Sequence, residues 1–351
     1  MRRKFNKRFL LLCLFTRIMV FVPLALSAGC TKNMQQPDST TDTLNLNKKQ
    51  PVVSLAGSPS PDTLIFQSGF GNTCKVITIG GGDNDITGKD LALSTKNDWV
   101  TDLENTTDGG MFNLQFSGGD TTRRYVKIVN DPKNGSNKVL NFWLHDYWTT
   151  DGQEKGRIQG NIYGIRKGIR ELYQSIRVYI HKDFSQLQTY PHKIDWLTIS
   201  EFWNNQWWSR NDSTGFRITM GIGKPTPATS QLNFILNAGD KNMHEIWNAD
   251  NTNIKVPIDQ WFTMEYYLKE GDNTTGRFYM AITPDNTGVK QVVFDVTNYT
   301  RSPYDLHPDG VTEYNPMKLY TSKDIISYMK ANSKTLQIYW DDIKIWKNKR
   351  P

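Results

Sequence analysis

Apolar and polar residues alternate along most of the chain beyond residue 62. In "KVLNFWLHDYW", Leu140, Phe142 and Leu144 fall on one side, and Asn141, Trp143, His145 and Tyr147 on the other. A period of two marks a strand, because successive side chains leave it on opposite faces. "GRIQGNIYG" sets Ile158 and Ile162 against Arg157, Gln159, Asn161 and Tyr163, and "YQSIRVYI" sets Ile176, Val178 and Ile180 against Ser175, Arg177 and Tyr179. "GFRITMGI" opposes Phe216, Ile218, Met220 and Ile222 to Arg217 and Thr219. "WFTMEYYLK", "GRFYMAI", "KQVVFDV" and "LQIYWDDIKIW" continue the pattern, and stretches such as "DPKNGS", "EGDNTTG" and "PDNTG" supply turns between strands. Helical spacing occurs in "SKDIISYMKAN", where Ser322 is placed to cap and Ile325, Ile326 and Met329 share a face. About a dozen strands with one short helix predict an all-β sandwich of two antiparallel sheets, one domain over residues 62–348.

The polar rows of these strands are unusual. A solvent-facing row ordinarily carries Lys, Glu, Ser and Thr, whereas three consecutive strands here show Asn, Trp, His, Tyr, Arg and Gln. Such side chains join flat stacking surfaces to directional donors, which suits sugar rings and their hydroxyl or carboxylate groups. Further along, "ISEFWNNQWWSR" places Glu201 and Trp203 in alternation with Leu197 and Ile199, against Trp196, Thr198, Ser200 and Phe202. Alternation alone leaves open which of those faces is core. Asn205, Trp207 and Trp208 follow as a loop, with the two tryptophans as candidates for stacking on sugar.

The first thirty residues change the meaning of the net charge. They hold six Lys or Arg and no Asp or Glu, and so account for six of the seven net positive charges. A basic start, an apolar run too short to span a bilayer and small residues before Cys30 mark an export signal. "LSAGC" resembles the lipobox of bacterial lipoproteins, which implies lipidation of Cys30 and a cell envelope location, in the outer membrane, periplasmic or surface-exposed. Residues 31–61, rich in Asn, Gln, Ser, Thr and Pro, read as a disordered tether. With the signal removed the charge is near neutral, so no nucleic-acid partner is expected. Cys74 then has no cysteine to pair with and reads as a small core residue. No His/Cys cluster points to zinc, and "GGGDND" lacks the following helix of a phosphate loop.

Two stretches resemble the opening and closing strands of concanavalin A-like jelly rolls, "TLIFQSGFGNT" and "LQIYWDDIKIW". Between them, "GRIQGNIYG", "ELYQSIRVYIHKDF" and "WLTISEFWNN" resemble the middle of the jelly-roll polysaccharide lyases, of the alginate and glucuronan lyase kind. The resemblance implies a concanavalin A-like β-jelly roll. Arg157 and Gln159 match the lyases' arginine strand, and Ser175, Arg177 and Tyr179 match the next. Glu201 and Trp203 stand where those lyases carry glutamine and histidine, which is a departure. The resemblance places Glu201 and Trp203 in the groove.

β-Elimination of an acidic polysaccharide needs donors to neutralise the uronate carboxylate, a base for the adjacent C–H, and an acid for the leaving oxygen. Arg157, Gln159 and Arg177 are candidate neutralisers, and Tyr163, Tyr179 and His145 are candidate proton-transfer groups. The other reading of each arginine is a surface ion pair with Glu154, Glu171 or Asp183. Asn141, Trp143, Tyr147, Asn161, Glu201, Trp203 and Arg217 are candidate substrate contacts, and the arginines favour an acidic glycan. Hydrolysis needs two carboxylates within about 5–9.5 Å. Asp195 lies six residues before Glu201, roughly 20 Å along a strand, which leaves Glu265 as a possible partner. A non-catalytic glycan-binding lipoprotein needs only the aromatic and polar surface. No cofactor is required, although Asp342, beside Asp341, is a candidate ligand for a structural Ca²⁺ with backbone carbonyls near Gly69 to Asn72.

Overall fold

Antiparallel pairing sorts the alternating segments into two sheets, with strands numbered in chain order. The computed structural model describes residues 61–80, 83–90, 99–104, 110–116, 122–150, 153–165, 168–204, 214–240, 242 and 244–351, all within the unit Gly57–Pro351. Residues 1–30 with Cys30, the tether up to residue 60, and Asn205, Trp207 and Trp208 lie outside the described residues. No helix among the described residues is long and apolar enough to cross a membrane.

The smaller sheet runs β16 (Gln291–Thr297), β15 (Arg277–Pro284), β14 (Trp261–Lys269), β9 (Glu171–Ile180), β18 (Leu336–Lys347), β6 (Lys138–Leu144) and β5 (Arg124–Asn130), and β1 (Thr63–Ser68) also pairs with β18. The larger sheet runs β13 (Glu245–Lys255), β12 (Asn233–Asp240), β11 (Phe216–Gly223), β10 (Leu197–Trp203), β17 (Glu313–Ser322), β8 (Gln153–Tyr163), β4 (Met111–Phe116), β3 (Asp83–Thr87) and β2 (Lys75–Gly80), with β7 (Trp148–Thr150) on the free part of β8. The architecture is a jelly-roll sandwich whose first and last strands pair, as the resemblance implies.

The apolar rows of the two sheets meet in one continuous core. Ile158 and Ile162 of β8 join Phe142 of β6 and Ile176, Val178 and Ile180 of β9 there, with Phe202, Tyr266, Tyr314 and Trp340. Burying each such large side chain contributes roughly 1.5–3 kcal/mol, so truncating Phe202 to Ala should cost about 3–5 kcal/mol. A consequence follows for the polar rows. β6 and β9 belong to the smaller sheet while β8, between them in the chain, belongs to the larger. Because both inner faces bury the apolar rows, their outward rows point in opposite directions.

β10 carries an irregularity that alternation did not foresee. Its register shifts after Thr198 against both neighbours, β11 and β17. Such a bulge inserts an extra residue and resets the in–out pattern. Leu197 and Ile199 are in the core, and so is Phe202, which stacks on Tyr314 at 4.5 Å. Ser200 is buried as well, with its hydroxyl donating to the Asn315 carbonyl at 2.8 Å. Glu201 and Trp203 are thereby turned outward although Leu197 and Ile199, four and two residues before Glu201, face in.

The expected helix is present at Lys323–Ala331, and Ile325, Ile326 and Met329 are its buried residues. Ser322 occupies the N-cap position but its side chain makes no capping hydrogen bond, which corrects that expectation. A 3-10 helix at Lys182–Thr189 was not foreseen, and it buries Phe184 and Leu187. Cys74 is buried and in no disulfide.

Candidate functional site

The outer face of the larger sheet carries a chain of polar side chains across six adjacent strands, β3, β4, β8, β17, β10 and β11. Asn113 donates to Asp83 at 3.2 Å, and Asn161 donates to Asn113 Oδ1 at 2.6 Å. Gln159 and Asn315 both donate to Asn161 Oδ1, at 2.7 and 2.6 Å. Lys318 donates to Asn315 Oδ1 at 3.3 Å and to the Glu201 carboxylate, and Arg217 Nη1 donates to the other Glu201 oxygen at 3.3 Å. Buried amides of this kind survive only when bonded. The row therefore fixes the side chains at its Glu201 end.

That end is cationic on balance. Lys318 and Arg217 pair with Glu201, which is 2% exposed, and Arg157 lies near Lys318. Burial pulls the Lys318 ammonium below its usual range, Glu201 opposes this, and Arg157 and Arg217 add to the pull. Among the described residues, Arg157 Nε, Arg217 Nε and Gln159 Oε1 are buried without a hydrogen-bond partner. Leaving such an atom unmatched costs about 1–3 kcal/mol, which is tolerable where a ligand or water completes it. Beside Glu201 and Arg217 opens a cleft of about 370 Å³, lined also by Thr219, Asn237, Trp196 and Tyr320. Trp196 packs edge-on against Tyr320 at 4.8 Å, and the Lys318 ammonium lies 5.2 Å from the Tyr320 ring.

Tyr163 shares this face at the far end of β8. Burial first, then Asp83, Glu104, Asp85 and Glu313, push its phenol upward, so it stays protonated and can give a proton but not take one. Six residues separate Arg157 from Tyr163, about 20 Å of strand, so they serve different parts of a ligand.

The structure brings together Arg157, Gln159, Asn161, Tyr163, Glu201, Trp203 and Arg217. It separates them from the rest of the expected set, and that expectation is corrected. Asn141, Trp143, Arg177 and Tyr179 lie on the outer face of the smaller sheet, across the core. Arg177 is paired with Asp285 at 2.5 Å and Asp341 at 3.9 Å and lies 5.0 Å over the Trp261 ring, so the ion-pair reading holds with other partners than Glu154, Glu171 or Asp183. The Tyr179 hydroxyl donates to Asp259 at 2.5 Å, and burial followed by that bond pushes its phenol upward. Trp143 is stacked between Tyr125, at 4.9 Å, and His145, at 5.5 Å, so its faces are covered. Tyr147 packs on the core beneath Lys323. Asn141, Trp143, Arg177 and Tyr179 cannot reach a sugar held by Arg157 across the core.

Glu265 is likewise on the wrong side, bonded to Tyr173 and Lys290, and cannot partner Glu201. Among the described residues no group of three or more His, Cys, Asp or Glu is placed to hold a metal. At the Gly69 turn the Asp90 carboxylate accepts from the Gly69 N–H at 2.5 Å and from Ser68.

Lys318, Tyr320, Asn315 and Glu313 were missed by sequence reasoning. All lie on β17, "EYNPMKLYTS", whose register breaks between Tyr314 and Met317 around Asn315 and Pro316. The usable signal was Met317 and Leu319 bracketing Lys318, a two-residue alternation too short to stand out.

No family model matches the chain, and no curated protein matches its sequence. Among solved structures it is similar to the PL-14 alginate lyase from Aplysia kurodai, at 8% identity and a TM-score of 0.47 over 81% of this chain and 99% of that one. It is similar also to the endo-beta-1,4-glucuronan lyase from the fungus Trichoderma reesei, at 13% identity and a TM-score of 0.38 over 68% and 95%. A third likeness is to the exoplasmic/lumenal domain of VIP36, at 10% identity and a TM-score of 0.33 over 67% and 82%. These likenesses are of fold.

Proposed function

We propose that this protein engages an acidic polysaccharide on the outer face of its larger sheet and cleaves it by β-elimination. The observation that carries the reading is the cationic cluster of Lys318 and Arg217 at one carboxylate with Arg157 near Lys318, and with unmatched donors at both arginines. Arg217, in the same cross-strand row as Trp203 and Glu313, would neutralise the uronate carboxylate at the reacting sugar and so acidify the adjacent C–H, while Arg157, about 20 Å of strand from Tyr163, would hold the carboxylate of another sugar. Gln159 Oε1 can accept from a sugar hydroxyl, and Trp203 and Trp196 offer rings for sugar faces. Tyr163, held protonated, suits the role of acid at the leaving oxygen.

Binding without catalysis is the second reading, favoured by the bond between Lys318 and Glu201, which keeps the lysine occupied. Anchoring in the cell envelope through Cys30 is part of the proposal and rests on the signal-like residues 1–30. A screen against uronate and neutral polysaccharides separates the readings through the ultraviolet absorbance of an unsaturated product. Elimination predicts absorbance with at least one uronate polymer. Binding to such a polymer with no absorbance from any of them would leave the second reading.

A further inference from the structure

Elimination needs a base close to the cationic cluster. Tyr163 is held protonated and Lys318 is bonded to Glu201, so neither meets that need. Glu313 opens β17 and lies directly opposite Tyr163 of β8 on one side and Trp203 of β10 on the other. The next residue, Tyr314, is fully buried against Phe202, so alternation turns Glu313 outward onto the groove face. Glu201 lies opposite Asn315, two residues along β17. The two glutamates are thus diagonal neighbours across adjacent strands, a relation that sets Cβ atoms about 7–8 Å apart.

Their surroundings differ. Glu201 is occupied by Lys318 and Arg217, whereas Glu313 has no hydrogen bond or ion pair among the described residues. The groups facing Glu313 are Tyr163 from β8, Trp203 and Glu201 from β10, Arg217 from β11 beyond them, and Lys318 on its own strand; Asp83, Asp85 and Glu104 stand behind Tyr163. Burial, then the charge of Glu201, push the Glu313 carboxyl up to about 7, with Lys318 opposing. A carboxylate so placed is half ionised near neutrality and a stronger base than an exposed one.

We infer that Glu313 is the general base of the groove and acts in concert with Tyr163 across the β8–β17 pair. This rests on the elimination reading above. The Glu313 carboxylate takes the proton from the carbon bearing the uronate carboxyl, C5. That C–H electron pair becomes the C4–C5 double bond, the C4–O bond breaks, and the Tyr163 hydroxyl gives its proton to the leaving oxygen. No oxidant or further reactant is needed.

The test is Glu313→Gln, assayed on the uronate polymer cleaved by the unmodified protein, with product absorbance, a pH–rate profile and a thermal melt. The expected result is at least about a 100-fold loss of kcat, with KM and melting temperature little changed. In the unmodified protein the rate should rise with pH through about 7, and this limb should vanish from the residual rate of the variant. An unchanged kcat in Glu313→Gln would overturn the inference and leave elimination standing. A rate that falls through the same pH range, with reducing ends released but no unsaturation, would make Glu313 a hydrolytic acid and overturn both. No unsaturated product from any uronate polymer also overturns both.

Discussion

Arg177 and Arg157 are both outward arginines on strands flanked by aromatic residues, yet their circumstances are opposite. Arg177, on the smaller sheet, is paired with Asp285 and Asp341 and roofs Trp261. Around it the same pattern repeats: Arg277 is held by both oxygens of Asp295, Arg350 by both of Glu171, and Lys349 lies 3.8 Å over Trp346. Two aromatic clusters, Tyr173–Tyr267–Tyr279 and Tyr179–Trp261, are buried under these paired charges. Arg157, on the larger sheet, lies near a lysine and keeps an unmatched Nε. Similar side chains close one face and leave the other open. Unmatched donors occur on both faces, at Asn141 Nδ2 as well as at Arg157 Nε and Arg217 Nε, so what separates the two arginines is the pairing of their charge.

The comparison can be strained at several points. The largest effect is expected at Lys318→Met, which leaves Glu201 buried with Arg217 as its remaining cation. Removing one member of a buried pair costs about 3–5 kcal/mol, readable as a lower urea midpoint. A loss below about 1 kcal/mol would show that solvent screens the cluster, contrary to its burial.

A smaller effect belongs to the closed face. Burial, then Asp342, raise the Asp341 carboxyl to about 7. A carboxyl raised on folding is bound more tightly to its proton in the native state, so its contribution is present at low pH and is lost as pH rises from about 4 to about 7. Asp341→Asn should remove that loss, giving a difference from the unmodified protein of roughly 3–4 kcal/mol at pH 8 relative to pH 4. Parallel stability profiles for the two would contradict the assignment. The smallest effect is Arg277→Ala, which breaks a half-exposed pair with Asp295. It should cost less than about 1 kcal/mol in the same unfolding experiment.

Most strands were legible because their apolar rows are long and regular, as in "YQSIRVYI" and "WFTMEYYLK". Sheet membership was not. Alternation tells which residues share a face of one strand, but the jelly roll sends β6 and β9 to one sheet and β8 to the other. The outward rows of three consecutive strands therefore looked like one surface and are two. Asn141, Trp143, His145, Arg177 and Tyr179 were misplaced for that reason alone. The bulge in β10 is a second limit, because a register shift after Thr198 sends Ile199 and Phe202 to the same side. The shift around Asn315 and Pro316 hid β17, and with it Lys318 and Glu313.

The proposed function requires the outer face of the larger sheet, and not that of the smaller, to meet the glycan. Calorimetric titration of an acidic polysaccharide into Arg157→Ala and Arg177→Ala, at one low salt concentration, compares the two faces in a single experiment. Loss of one charge-assisted contact, about 1.5–3 kcal/mol, predicts at least a tenfold weaker Kd for Arg157→Ala and an unchanged Kd for Arg177→Ala. Full affinity in Arg157→Ala with loss in Arg177→Ala would contradict the account and move the ligand to the smaller sheet.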